Sequence, residues 1–198
     1  MIPREEQKAN EAKARTDSKA AELLNFDHGE LKLAAEKLAD KMRKAGPPYH
    51  LVVAGGAGSG KTTLAGALST ALGIPAFDFD EYVRGGWTPD RDEYEERLKR
   101  ALYDLWTDLP ADADGWIVEH VESCSKMMTD LLRPNYALLV DTGEERLRLT
   151  AQARNAVGTF DPAREKRALQ SMKTAKEQFW ALPAKDSTTF RFGFLKSL

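Results

Sequence analysis

At 198 residues, 42% hydrophobic and 30% charged, the chain is the size of one globular domain with enough apolar content for a sizeable core. No apolar run approaches the roughly 18 residues of a membrane span, the N-terminus lacks the apolar stretch of a secretory signal, and the single Cys124 cannot close an intrachain disulfide. These features exclude a membrane protein and set the expectation of a soluble, cytoplasmic one. The net charge of −2 conceals an uneven distribution: residues 76–145 carry 7 basic against 18 acidic side chains, and residues 146–198 carry 11 against 4. An acidic middle and a basic C-terminal quarter fit a chain that handles a metal or protons in one part and phosphates in another.

In chain order, residues 1–45 read as a helical N-terminal extension. Its clearest part runs from Gly29 to Lys44, where Leu31, Ala34, Ala35, Leu38 and Met42 recur at helical spacing before Gly46-Pro47-Pro48 stops the helix. Tyr49 to Ala54 reads as a buried strand, Gly55 to Gly60 as a loop, Lys61 to Leu72 as a helix ending at Gly73, and Pro75 to Asp80 as a second strand. A helix over 91–109 follows, then a strand from Trp116 to Val121, a short helix near Ser125 to Leu132 and a strand from Tyr136 to Asp141. Helical pattern covers Glu144 to Leu182 with a break at Gly158 to Pro162, and Thr188 to Phe194 reads as a fifth strand. Strands alternating with helices predict an α/β three-layer sandwich around a five-stranded parallel sheet, with residues 46–198 as the catalytic domain.

The chemistry is set by Gly55-Gly56-Ala57-Gly58-Ser59-Gly60-Lys61-Thr62, a G-x-x-x-x-G-K-[ST] phosphate loop between an apolar strand and a helix. Its glycines let consecutive backbone N–H groups face one anion at the positive end of the helix. Lys61 is expected at the terminal phosphates of ATP and the Thr62 hydroxyl in the Mg²⁺ shell, with Thr63 completing the nucleotide-binding set. No guanine-reading Asn-Lys-x-Asp and no transporter signature accompanies the loop. A phosphotransferase is therefore the leading class.

In Phe77-Asp78-Phe79-Asp80 the period-two alternation predicts both rings on one face and both carboxylates on the other, at the carboxyl end of a strand where open α/β sheets bind ligands. Asp80 is assigned as the general base toward an attacking hydroxyl, and Asp78 as a residue that holds Mg²⁺ or orients Asp80. Glu119, Glu122 and Asp141 compete for the remaining Mg²⁺ role. Arg146, Arg148 and Arg154 open the basic quarter, and Arg154, before Asn155 and Gly158, is assigned as the arginine of a lid around residues 144–165. His28, His50 and His120 show no metal-ligand spacing and receive no role.

Taken together, the phosphate loop, Phe79-Asp80-Glu81-Tyr82-Val83-Arg84, the stretch Ala153-Arg154-Asn155 and the helix from Ala168 to Pro183 resemble the kinase domain of phage polynucleotide 5′-kinases. The resemblance covers roughly residues 49–183. It implies Asp80 as base, Arg84 on an acceptor phosphate and Arg154 on a lid; Arg84 stands one residue further from Tyr82 than that pattern has it. It also implies a nucleotide-type acceptor in DNA, and related phage kinases would point to the hydroxymethyl group of 5-hydroxymethyluracil. Trp87 is the expected stacking surface for a base. Leu72-Gly73-Ile74-Pro75 through Asp80, with Trp116-Ile117-Val118-Glu119, is also similar to small-molecule and nucleoside kinases of the shikimate and adenylate kinase type. A small-metabolite kinase is thus the first alternative, and an ATP-dependent binding or assembly protein the second.

Overall fold

The computed structural model describes residues 29, 31–83, 90–111, 113–121, 123–157, 160–182 and 190–195, with backbone alone for 156–157 and 190–195. Four parallel strands form the layer on which the fold is built: β1 (Tyr49–Gly55), β2 (Ala76–Asp78), β3 (Gly115–Glu119) and β4 (Tyr136–Asp141). Their spatial order is β2-β3-β1-β4, which puts β1 at the centre, paired with β3 from Tyr49↔Gly115 to Val53↔Glu119 and with β4 from Leu51↔Tyr136 to Gly55↔Val140. A strand covered on both faces carries a near-continuous apolar run, and β1 does from Leu51 to Ala54. Val52 and Ala54 enter one core while Leu51 and Val53 enter the other.

The first of these cores is covered by α3 (Arg91–Asp108), α4 (Lys126–Leu132) and α6 (Arg164–Ala181), through residues such as Leu102, Leu105, Met128 and Phe179. On the opposite face, α1 (residues 31–45) lays Leu31, Ala35, Leu38, Ala39 and Met42 against Leu64 and Leu68 of α2 (Lys61–Leu72). The helical spacing read between Gly29 and Lys44 therefore corresponds to a buried face, with Ala34 only half-buried. α5 (Glu144–Val157) precedes α6, and Leu147, Ala151 and Ala153 on it are buried.

The expected five-stranded sheet is corrected to a four-stranded parallel one. Both described cores draw only on β1, β3 and β4, with Phe77 of β2 packed against the first. The C-terminal segment Phe190–Leu195 lies in parallel along the outer edge of β4 by backbone pairing, from Tyr136↔Phe190 to Asp141↔Leu195. The sheet described with its side chains is therefore the four-stranded one. Its alternating Phe-Arg-Phe-Gly-Phe pattern is one that a buried strand and an edge strand share.

Two further boundaries differ from expectation. The strand predicted over Pro75 to Asp80 stops at Asp78, because the Asp78 side chain accepts the Asp80 N–H at 2.9 Å and turns the chain into a 3₁₀ helix over Phe79–Glu81. β3 ends at Glu119 rather than Val121, which leaves His120 just past the strand at the carboxyl edge of the sheet, its N–H still bonded to Val53 O. Among the described residues no helix is long and apolar enough to cross a membrane.

Candidate active site

The phosphate loop joins the central strand to α2. Gly58 and Gly60 adopt the left-handed backbone, with φ of +84° and +91°, which only glycine reaches without strain. The first turn of α2 holds no acidic residue and no side chain caps it, so its N–H groups and positive dipole end remain open to an anion. Gly56 is confined by α6: a Cβ there would stand 2.8 Å from Met172 Cβ and 2.9 Å from Met172 N. Ser171 of the same helix accepts the Ala57 N–H at 2.8 Å through its Oγ. Gly55 and Ser59 lie against each other at the base of the loop, and the Ser59 Oγ is buried without a hydrogen-bond partner.

Lys61 and Thr62 converge on one carboxylate. Glu119, buried at the end of β3, accepts the Thr62 Oγ1 hydrogen at 2.5 Å through Oε1 and has Lys61 Nζ 3.3 Å from Oε2. Among the described residues Lys61 is the partner that the structure gives Oε2. Burial pushes the Glu119 carboxyl above the ordinary carboxylate range, with Lys61 and Thr62 pulling the other way. Thr63 follows, half-buried, on the first turn of α2.

Of the three acids among which the sequence left the choice open, two are placed by their contacts. β3 and β4 both flank β1, and it is Glu119 that meets Lys61 and Thr62. Asp141 points elsewhere, pairing with Lys176 at 2.7 Å and accepting the Gly143 N–H at 3.2 Å. Glu122 lies outside the described residues, as do Arg84 and Trp87.

Across the sheet edge, Asp78 is the register partner of Glu119. The Asx turn that Asp78 makes replaces the expected face-sharing of two strand carboxylates: its side chain holds the backbone of Asp80. The Asp80 side chain, 65% exposed, places Oδ1 3.1 Å from Nε2 of His120, whose own side chain is 4% exposed. That hydrogen bond is the main cause holding the Asp80 carboxyl below its ordinary range, with burial opposing and the charge of Lys61 adding to it. Tyr82 donates to Asp108 Oδ2 at 3.0 Å, and burial together with this acceptor pushes its phenol up to about 12.

Arg154 is exposed on α5 above the loop; a Cβ on Gly58 would lie 3.8 Å from its Cζ and 3.0 Å from Thr150 Cγ2. Asn155 does not face the loop but closes the turn between α5 and α6, donating to Asp161 O at 3.0 Å and accepting the Asp161 N–H at 3.1 Å. Three side chains of the basic quarter are paired with acids: Arg148 with Glu165 at 2.9 Å, Arg167 with Asp161, and Lys176 with Asp141.

His120, Thr150 and Ser171 went unread in the sequence. A signal existed for the first two, since His120 directly follows the acidic end of an apolar strand and Thr150 precedes Arg154 by one helical turn. Ser171 meets Ala57 across 114 positions, which no local pattern encodes.

No family model and no curated protein matches the chain. Among solved structures it is similar to a gluconokinase from Sinorhizobium meliloti 1021, with 18% identity over 76% of this chain and 85% of that one and a TM-score of 0.47. It is also similar to a shikimate kinase from Bacteroides thetaiotaomicron, with 17% identity, 72% and 85% coverage and a TM-score of 0.45. A sugar kinase from Janibacter sp. HTCC2649 shares 24% identity, with 74% and 86% coverage and a TM-score of 0.46. These are likenesses to small-molecule kinases and not specifically to polynucleotide kinases.

Proposed function

We propose that the chain is an ATP- and Mg²⁺-dependent phosphotransferase acting on a hydroxyl of a small polar acceptor, a metabolite or a nucleoside. The observation that carries this reading is the convergence of Lys61 and Thr62 on buried Glu119, beside an Asp80 held at the same sheet edge. A switch or motor needs the first half of that arrangement. Phosphoryl transfer to a hydroxyl also uses a carboxylate placed to accept the proton of that hydroxyl.

The loop fits a triphosphate: left-handed glycines, an uncapped helix start and a lysine beside it form an anion nest. A buried carboxylate beside the Thr62 hydroxyl suits a hydrated Mg²⁺ carried with the phosphates. When bound, Mg²⁺ would neutralise phosphate charge. Thr62 would ligate it, with Glu119 and Asp78 holding its water. Lys61 would turn from Glu119 to the terminal phosphates, and Arg154 would cover them from α5. Asp80 would take the acceptor proton as the acceptor oxygen bonds to the γ-phosphorus and the bond to the bridging oxygen breaks, leaving ADP with the electron pair.

A small acceptor is favoured over a DNA strand by charge. Asp78 and Asp80 belong to the acidic middle of the chain, 7 basic against 18 acidic residues over 76–145. A polyanion would be repelled there, and several of the basic side chains that would offset this are already paired with acids. The test is transfer of label from γ-labelled ATP with Mg²⁺ to a panel of D-gluconate, shikimate, hexoses and nucleosides, alongside 5′-hydroxyl oligonucleotides and DNA containing 5-hydroxymethyluracil. Label on a small hydroxyl compound supports the proposal. Label on the oligonucleotides alone contradicts the acceptor class, and release of inorganic phosphate without any labelled acceptor contradicts phosphotransfer itself.

A further inference from the structure

His120 has no place in a phosphate-binding loop, yet the fold commits several contacts to fixing it. Its backbone N–H donates to Val53 O of the central strand at 3.2 Å, and its carbonyl accepts from the Ser123 N–H at 3.3 Å. The imidazole is buried and meets the ring of Phe79 edge-on, with centroids 5.1 Å apart and planes at 84°. Phe79 itself is fully buried in the first core. Nε2 of the ring stands 3.1 Å from Asp80 Oδ1.

We infer that His120 is a positioning residue for the base: a rigid, buried N–H donor that fixes one carboxylate oxygen of Asp80 and leaves Oδ2 to take the acceptor proton. This rests on the reading of Asp80 as the base. The reason is geometric. The Asp80 side chain is mostly exposed, and an exposed aspartate samples several rotamers, of which few point a lone pair at a substrate hydroxyl. Asp78 fixes only the Asp80 backbone, through the N–H bond of 2.9 Å. The side chain needs a second anchor, and an anchor that is itself free to move would contribute little. His120 meets that requirement because the sheet, the Ser123 turn and the Phe79 ring together define its position. No charge on the imidazole is needed; the neutral ring with its proton on Nε2 donates in the same geometry.

The experiment compares His120→Ala, His120→Gln and His120→Asn with Asp80→Asn. Total phosphoryl transfer from γ-labelled Mg-ATP is measured, to water and to the panel above, together with the Kd of a fluorescent ATP analogue. The amide nitrogen of Gln reaches close to the place of the imidazole Nε2, whereas that of Asn falls short of it. The expected result is a fall in kcat between about 10- and 100-fold for the Ala and Asn variants, with KM for ATP and analogue affinity unchanged, and recovery of most of the turnover in the Gln variant. In the Asp80→Asn background, His120→Ala should cause no further loss, since its target is gone. If Asp80→Asn is inactive while His120→Ala turns over like the parent, the positioning role is wrong and the base assignment stands. If all three His120 variants lose activity alike along with ATP affinity, the residue is structural and the inference is overturned. If Asp80→Asn itself transfers phosphate normally, the underlying reading fails instead.

Discussion

The two halves of the site are built by different means. On the phosphate side, backbone does the work: two left-handed glycines, an uncapped helix start and a lysine and threonine one residue apart, all gathered within eight consecutive positions and backed by a buried glutamate. On the acceptor side, side chains do it: an Asx turn made by Asp78, a carboxylate on Asp80 and an imidazole from the next strand. The first half is locally encoded. The second is assembled across the sheet, with an exposed Asp80 against a buried His120. Binding of nucleotide and transfer from it are therefore separable, and substitutions should sort accordingly.

The sharpest separation is expected at Asp80. Asp80→Asn should lower transfer by about 10²- to 10⁴-fold, the usual worth of a general base, while ATP affinity holds, as steady-state kinetics and equilibrium titration would show; a parallel loss of ATP binding would merge the two halves. Lys61→Ala should cost about 10²- to 10³-fold and weaken ATP binding as well, because its target charge is present in ground and transition states alike.

Gly56→Ala should act on stability before chemistry. Its Cβ meets Met172 and the Ala168 carbonyl, at 2.8 to 3.0 Å, and these atoms belong to α6. Overpacking of this kind costs about 1–3 kcal/mol, visible as a Tm lowered by several degrees, with Ser171 pulled from the Ala57 N–H. An unchanged Tm would mean that α6 does not brace the loop. The smallest effect is expected from Tyr82→Phe, which removes the bond to Asp108 and should cost about 0.5–1.5 kcal/mol in denaturant unfolding. A loss of turnover greater than that would place Tyr82 in the acceptor half.

How far the sequence could be read follows the same division. The strand, phosphate loop and helix from Tyr49 to Leu72 were legible because strand hydrophobicity, glycine spacing and helix start lie in one stretch. Asp78 and Asp80 were found by their position but misread in geometry: an aspartate that can bond to its own backbone two residues on competes with the strand, and here it ends it. Glu119, Glu122 and Asp141 were indistinguishable because each sits at or near a strand end. β3 and β4 both flank β1, so the strand order alone leaves them alike; the side-chain contacts put Glu119 on Thr62 and Asp141 on Lys176. His120 needed both that order and the early end of β3. The C-terminal alternation was counted as a full strand because periodicity does not distinguish the centre of a sheet from its edge.

The account turns on whether Asp80 acts on the acceptor and not on the nucleotide. The direct measurement is single-turnover transfer of γ-labelled phosphate by parent and Asp80→Asn proteins at saturating Mg-ATP, with an acceptor from the small-molecule panel. The account predicts a labelled hydroxyl product from the parent and a rate slower by at least about 10²-fold in the variant at equal bound ATP. Equal rates in the two proteins, or loss of bound ATP in the variant sufficient to explain its slowness, would contradict it.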